Sequence, residues 1–204
     1  MESNVTAAVP RGRPREFDAQ EALAAALRVF WLRGYEGASL TELTEAMGIT
    51  RPSLYACYGN KESLFRKALD LYEQEKLAYM GAALNAPTAR EVAERLLHGA
   101  LEMQRSTSDP RGCLGVISSL ACGAEAESIK AEVIARRASS EAALIQRFER
   151  ARDEGDLPDH VDPAGLARYL GAVIQGMLVQ ASSGVSCKDL SKLVDTAMMV
   201  WPSR

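Results

Sequence analysis

Arg51, Ser53, Tyr55 and Lys61 are the side chains of this 204-residue chain whose type and spacing suit chemistry, and the chemistry is recognition rather than bond making. A guanidinium matches the paired acceptors on a guanine edge, while hydroxyl, phenol and ammonium groups bind phosphate. Arg51, Ser53 and Tyr55 fall on the outward side of a short helix whose inward side is Leu54 and Tyr58. Lys61 falls in the first turn of the following helix, where free amides and the helix dipole add to its charge in favour of a phosphate. Catalytic signatures are missing: there is no G-x-S-x-G, no glycine-rich phosphate loop after a strand, no H-E-x-x-H and no pair of carboxylates in an apolar setting. An enzyme is not expected and no cofactor is implied. Four cysteines without a C-x-x-C pair and two distant histidines leave no metal site to expect.

The elements that must hold these side chains are short. Ser39 with Glu42 three residues on has the capping-box spacing that starts a helix, and Leu40, Leu43 and Met47 give it one apolar stripe. Gly48 ends it, Ile49 plugs the turn, Thr50 caps the next helix and Pro52 sits in a first turn that needs no N–H. This spacing predicts a helix-turn-helix, which presents its second helix to a major groove. Ahead of it, Asp18 caps a helix of Leu23, Ala26, Leu27, Phe30 and Trp31 that ends at Gly34 and supplies a three-helix core centred on Phe30. The segment Pro10-Arg11-Gly12-Arg13-Pro14, continued by Arg15, has the pattern of an arm that lays arginines in a narrow minor groove.

Overall charge is −3, yet residues 11–67 carry +2 and the remainder −5, which fits a small DNA-contacting region on an acidic body. No apolar run approaches a membrane span and the first residues lack a secretory core, so a cytoplasmic protein with no membrane partner is expected.

Beyond Asn60 the periodicity predicts one long helix from Lys61 to Asn85, a lever from the DNA end into the second half. A core helix follows Thr88, then a small-residue stretch around Cys113 and Cys122. The next helix runs over about 125–154, with Ile129, Val133, Ile134, Leu144 and Phe148 inward and Arg136, Arg137 and Arg147 outward. After Asp162-Pro163 the polar face almost disappears. A helix apolar all round must be covered on both sides, so Leu170, Ile174, Met177 and Leu178, with Leu193, Ala197 and Trp201 of the last helix, are expected in a homodimer contact.

The run from Phe17 to Leu40, the glycine turn, the L-Y-x-x-Y-x-x-K spacing of Leu54, Tyr55, Tyr58 and Lys61, and the following NKESLF resemble the DNA-binding domain of the TetR/AcrR family of transcriptional repressors. GRPREFD, AMGITRPSLYA and the GCL at Cys113 are similar to its copper-responsive, ComR-like branch. The resemblance implies an all-α fold: a basic arm (1–15), a three-helix helix-turn-helix domain (16–66), and a helical effector-binding and dimerisation domain (67–204). It implies a homodimeric repressor on a palindromic double-stranded operator, released by a small molecule. Carried over by position, Arg51, Pro52 and Ser53 make base and backbone contacts, Tyr55, Lys61 and Thr41 make phosphate contacts, and Thr50 and Tyr58 join the contacting set. Cys57 departs from the pattern, since a thiol is a poor phosphate partner. An effector pocket drawn from Met80, Leu97, His98 and Leu101, with Met103, Cys113, Phe148 and Tyr169, favours an apolar or aromatic compound. The alternative on the same fold is a thiol sensor of oxidants, electrophiles or copper, with Cys113 activated by the guanidinium of Arg111.

Overall fold

A computed structural model of the chain describes residues 17–120, 123 and 126–202; Arg11, Arg13, Arg15 and Cys122 lie outside the described residues. The described chain is all helical. In order the helices are α1 (Ala19–Gly37), α2 (Leu40–Met47), α3 (Arg51–Tyr58), α4 (Lys61–Lys76), α5 (Ala78–Ala83), α6 (Ala89–Met103), α7 (Leu114–Leu120), α8 (Glu127–Asp153), α9 (Pro163–Ser182) and α10 (Cys187–Met199).

Most starts are written locally. Asp18, Ser39, Thr50, Asn60, Thr88, Asp162 and Ser186 each accept a hydrogen bond from an amide of the first turn they precede. Gly48 closes α2 in the left-handed region at φ 64°, where its amide donates to the Glu45 carbonyl. Gly34 breaks α1 at φ 71°, ψ 176°, three residues before the helix ends, a backbone conformation that strains a residue with a side chain.

Two apolar clusters fill the molecule. One joins α1–α4 to α7 and the start of α8: Phe30 packs edge-on against Phe65 at 5.1 Å, and Trp31 against Tyr72 at 4.7 Å. The other joins α5, α6, the second half of α8, α9 and α10, with Phe148 edge-on to Trp201 at 5.7 Å.

Three expectations are corrected. The helix expected over 61–85 ends at Lys76, and Leu77 (φ −106°, ψ 4°) turns the chain into α5. Two remote contacts flank the turn. Lys76 is clamped to Asp109 at 2.7 Å, and the Tyr79 ring lies so close on Gly99 of α6 that no side chain would fit there. On α8, Ile134 is 43% exposed rather than inward. Arg147, expected outward, is 6% exposed, because it lies three residues from Leu144 on the buried face. Its guanidinium donates to the carbonyls of Leu84, Ala86 and Pro87, closing the turn between α5 and α6.

The dimer set is corrected as well. Leu170, Met177, Leu178, Ala197 and Trp201 are buried in the chain's own core, and Ile174 faces a cleft. The outward apolar residues of α9 and α10 are instead Tyr169, Val179 and Met199, with Val200 just beyond α10, and of the expected set Leu193 and the largely buried Ala197 line the groove between the two helices. An all-apolar helix gives no phase, so the sequence could not say which stripe faces in.

Candidate nucleic-acid interface and effector cleft

The interface is built on the two short helices. Leu43 and Met47 of α2 and Leu54 of α3 are buried against α1 and α4, which leaves the opposite side of α3 to solvent. Thr50 holds the first turn of α3 through the Ser53 amide at 3.3 Å, and the two hydroxyls lie 3.0 Å apart. Arg51 is exposed and donates through Nη2 to the Thr41 hydroxyl at 2.7 Å, so the guanidinium is steadied from α2. Pro52 and Tyr55 are exposed, Tyr55 at 49%. Lys61, at the start of α4, places its ammonium 4.7 Å from the centre of the Tyr35 ring, a cation–π contact.

Thr41, Thr50, Arg51, Pro52, Ser53, Tyr55 and Lys61 are therefore grouped around the α2–α3 turn and the start of α4. Tyr58 is not among them: the ring is 7% exposed and its hydroxyl donates to the Ala19 carbonyl at 2.7 Å, which ties the end of α3 to the start of α1. Cys57 is half-buried against the N-terminal core, so its thiol serves packing where a phosphate partner would be out of place.

An ion-pair network links this end to α8. Arg136 of α8 meets Asp70 at 2.7 Å, Glu73 at 2.8 Å and Glu132 at 2.6 Å, and Glu132 meets Arg66 of α4 at 2.6 Å. Burial alone would raise the Glu132 carboxyl, but hydrogen bonds from Arg66 and Arg136 outweigh it and hold the group below the usual range. Burial likewise opposes the charge on Arg136, and its three carboxylate partners reverse that.

Between α5, α6, α8 and α9 lies a cleft of about 510 Å³. Met80, Leu84, Leu96, Leu144, Ala167 and Ile174 form its apolar wall, and Arg137, Ser139, Ser140, Glu141, Arg168 and Gln175 its polar edge. Of the expected pocket residues only Met80 lines it. Leu97, Leu101 and Phe148 fill the core, His98 is exposed, and Tyr169 stands at the α9–α10 groove. Met103 and Cys113 are half-buried near Tyr72, whose hydroxyl donates to Met103 Sδ at 4.0 Å. Burial pushes the Tyr72 and Tyr79 hydroxyls up, with the Cys113 thiol adding to both, so these phenols stay protonated. Arg111 does not activate Cys113: its guanidinium donates to the Val185 carbonyl and points at Cys187 Sγ, 4.0 Å away. Sequence reasoning missed Arg137, Arg168, Gln175 and the cleft wall. The one local trace was Ser139-Ser140, two small hydroxyl residues inside an otherwise highly charged helix.

Residues 22–68 match the family described as bacterial regulatory proteins, tetR family. Over 194 residues, 94% of this chain and 92% of the other, the chain is 33% identical to the HTH-type transcriptional repressor ComR of Escherichia coli. It belongs to the TetR family. TetR-family proteins are DNA-binding transcription regulators and not enzymes. A second relative, the HTH-type regulator YezE of Bacillus subtilis, is 31% identical over 93% of this chain and 98% of its own. Among solved structures, the TetR-family regulator CifR, as a cysteine mutant bound to a 26-bp operator duplex, is 42% identical with a TM-score of 0.88, covering 93% of this chain and all of that one. Among the described residues no helix is long and apolar enough to cross a membrane.

Proposed function

We propose that this TetR-family chain is a homodimeric repressor that binds a twofold operator through α3 and leaves it when a small molecule enters the cleft between α5, α6, α8 and α9. The observation that carries the reading is the pairing of a solvent-facing, pre-positioned Arg51 with Lys61 at a helix start, on a chain similar throughout its length to a regulator solved on its operator. Such a regulator acts where the DNA is, in the cytoplasm. Thr41, Thr50, Pro52, Ser53 and Tyr55 complete the contacting face, and the arginines of the arm, Arg11, Arg13 and Arg15, extend it. Two such faces read half-sites about 34 Å apart, and a cleft wall that includes Met80 and Leu84 just beyond the Leu77 turn lets a ligand change that spacing. The motifs GRPREFD, AMGITRPSLYA and GCL are what motivate a place beside the copper-responsive branch, and a change in operator affinity on adding Cu(I) is the measurement for it. The main test is a gel shift with DNA from upstream of the chain's own gene against random competitor. One fragment is expected to stay shifted against a random competitor in excess of roughly a hundredfold or more; equal titration by both DNAs sinks the reading.

A second reading keeps the same fold and makes Cys113 the sensor of an oxidant or electrophile. Two protonated phenols, Tyr72 and Tyr79, beside the thiol favour it, since they can hydrogen-bond the oxygen of an incoming electrophile. Cys113→Ser separates the two readings. Lost induction with unchanged DNA binding supports the thiol, and unchanged induction leaves the cleft alone.

A further inference from the structure

The cleft's polar edge is uneven in charge. Arg136 and Arg137 are neighbours on α8 with opposite fates: Arg136 is held by three carboxylates, whereas among the described residues Arg137 has only the neutral Gln175 amide oxygen, at 3.3 Å. The other charges on the edge cancel, because Arg168 pairs with Glu141 at 3.1 Å. One uncompensated guanidinium thus stands at the mouth of a space whose inner wall is Met80, Leu84, Leu96, Leu144 and Ile174. A guanidinium presents a planar fork of donors matched to a carboxylate. The volume of about 510 Å³ lies within the range of roughly 300–1,000 Å³ that small-molecule sites occupy.

We infer that the effector is an amphipathic carboxylate, an apolar chain or ring system bearing one acid group, with its head on Arg137 and its body along the Met80–Leu144–Ile174 wall. The inference rests on the cleft being the effector site and adds the ligand's class. Ser139 and the Gln175 amide nitrogen stand beside Arg137 as further donors to the head group. A neutral apolar compound of the same length fits the wall but leaves Arg137 with the amide it already has. A dianion exceeds the one free positive charge.

Isothermal titration calorimetry on the full chain with decanoate, decan-1-ol and methyl decanoate tests this without any operator. Decanoate is expected to bind at least tenfold more tightly than the alcohol and the ester, the margin that about 1.4 kcal/mol of charge-assisted hydrogen bonding gives. Arg137→Gln should erase that margin while leaving the alcohol's affinity as it was. Gly171→Phe should block all three ligands. Gly171 lines the cleft, its nearest neighbour to an added Cβ is Gln175 Nε2 at 3.9 Å, and a helix interior accepts the exchange, so an unchanged helical melt confirms that the fold is kept. Equal affinities for the three in the unaltered protein, or a margin that survives Arg137→Gln, overturns the carboxylate while Gly171→Phe still shows the cleft to be the site. Decanoate binding that survives Gly171→Phe, or no binding of any of the three, overturns the cleft as the place where such ligands act.

Discussion

Arg51, which we propose as the base reader, is held before DNA arrives: the Thr41 hydroxyl takes one of its donors, leaving the rest of the fork to solvent. Arg51→Ala is expected to lower operator affinity by about 1–3 kcal/mol while random DNA binds almost as before. Lys61→Ala is expected to weaken both DNAs alike and reduce the salt slope by about one. Gel shifts over a salt series distinguish the two patterns, and equal losses on both DNAs for Arg51→Ala would remove it as a base reader. At the other end, Arg147 serves the fold. Three backbone carbonyls depend on its buried guanidinium, so Arg147→Leu should lower unfolding free energy by about 2 kcal/mol in a urea titration. A loss below about 0.5 kcal/mol would mean that the carbonyls find water instead.

At the scale of elements, α4 and α8 are joined by side chains rather than by a shared loop, and Arg136 is the centre of the join. Replacing it leaves Asp70, Glu73 and Glu132 facing one another. Arg136→Met is expected to cost about 1–2 kcal/mol, which in a chain of this length is roughly 2–8 °C of melting temperature. Calorimetry should show the loss shrinking at high salt, where the carboxylates are screened; a loss indifferent to salt would assign it to packing. The helix starts were legible in the sequence because a cap is a local event, settled within three residues, as at Ser39 and Asn60. The turn at Leu77 was not, since the contacts that flank it, to Asp109 and Gly99, are distant in the chain and silent in any local pattern. Arg147 misled for a different reason: its charge argued for solvent while its position three residues from Leu144 placed it inside.

For the whole molecule, the proposed DNA face comes from one continuous stretch, Thr41 to Lys61, whose grouping a local pattern can express, whereas the cleft draws its wall from four helices and no spacing announces it. The outer sides of α9 and α10, with Tyr169, Leu193 and Gly176 along one groove, are where we expect the second copy. An added Cβ at Gly176 meets nothing within 4 Å in the single chain. Gly176→Arg should therefore leave the subunit helical and turn a sedimenting dimer into monomer, with loss of operator binding; a dimer that persists would place the contact elsewhere. The chain has two tryptophans, and each belongs to a different core, Trp31 against Tyr72 and Trp201 against Phe148. Each is in effect a private lamp for its own half. With Trp31→Phe or Trp201→Phe only one stays lit, and emission followed through heating tells whether the DNA-reading half and the ligand-sensing half come apart together or in turn.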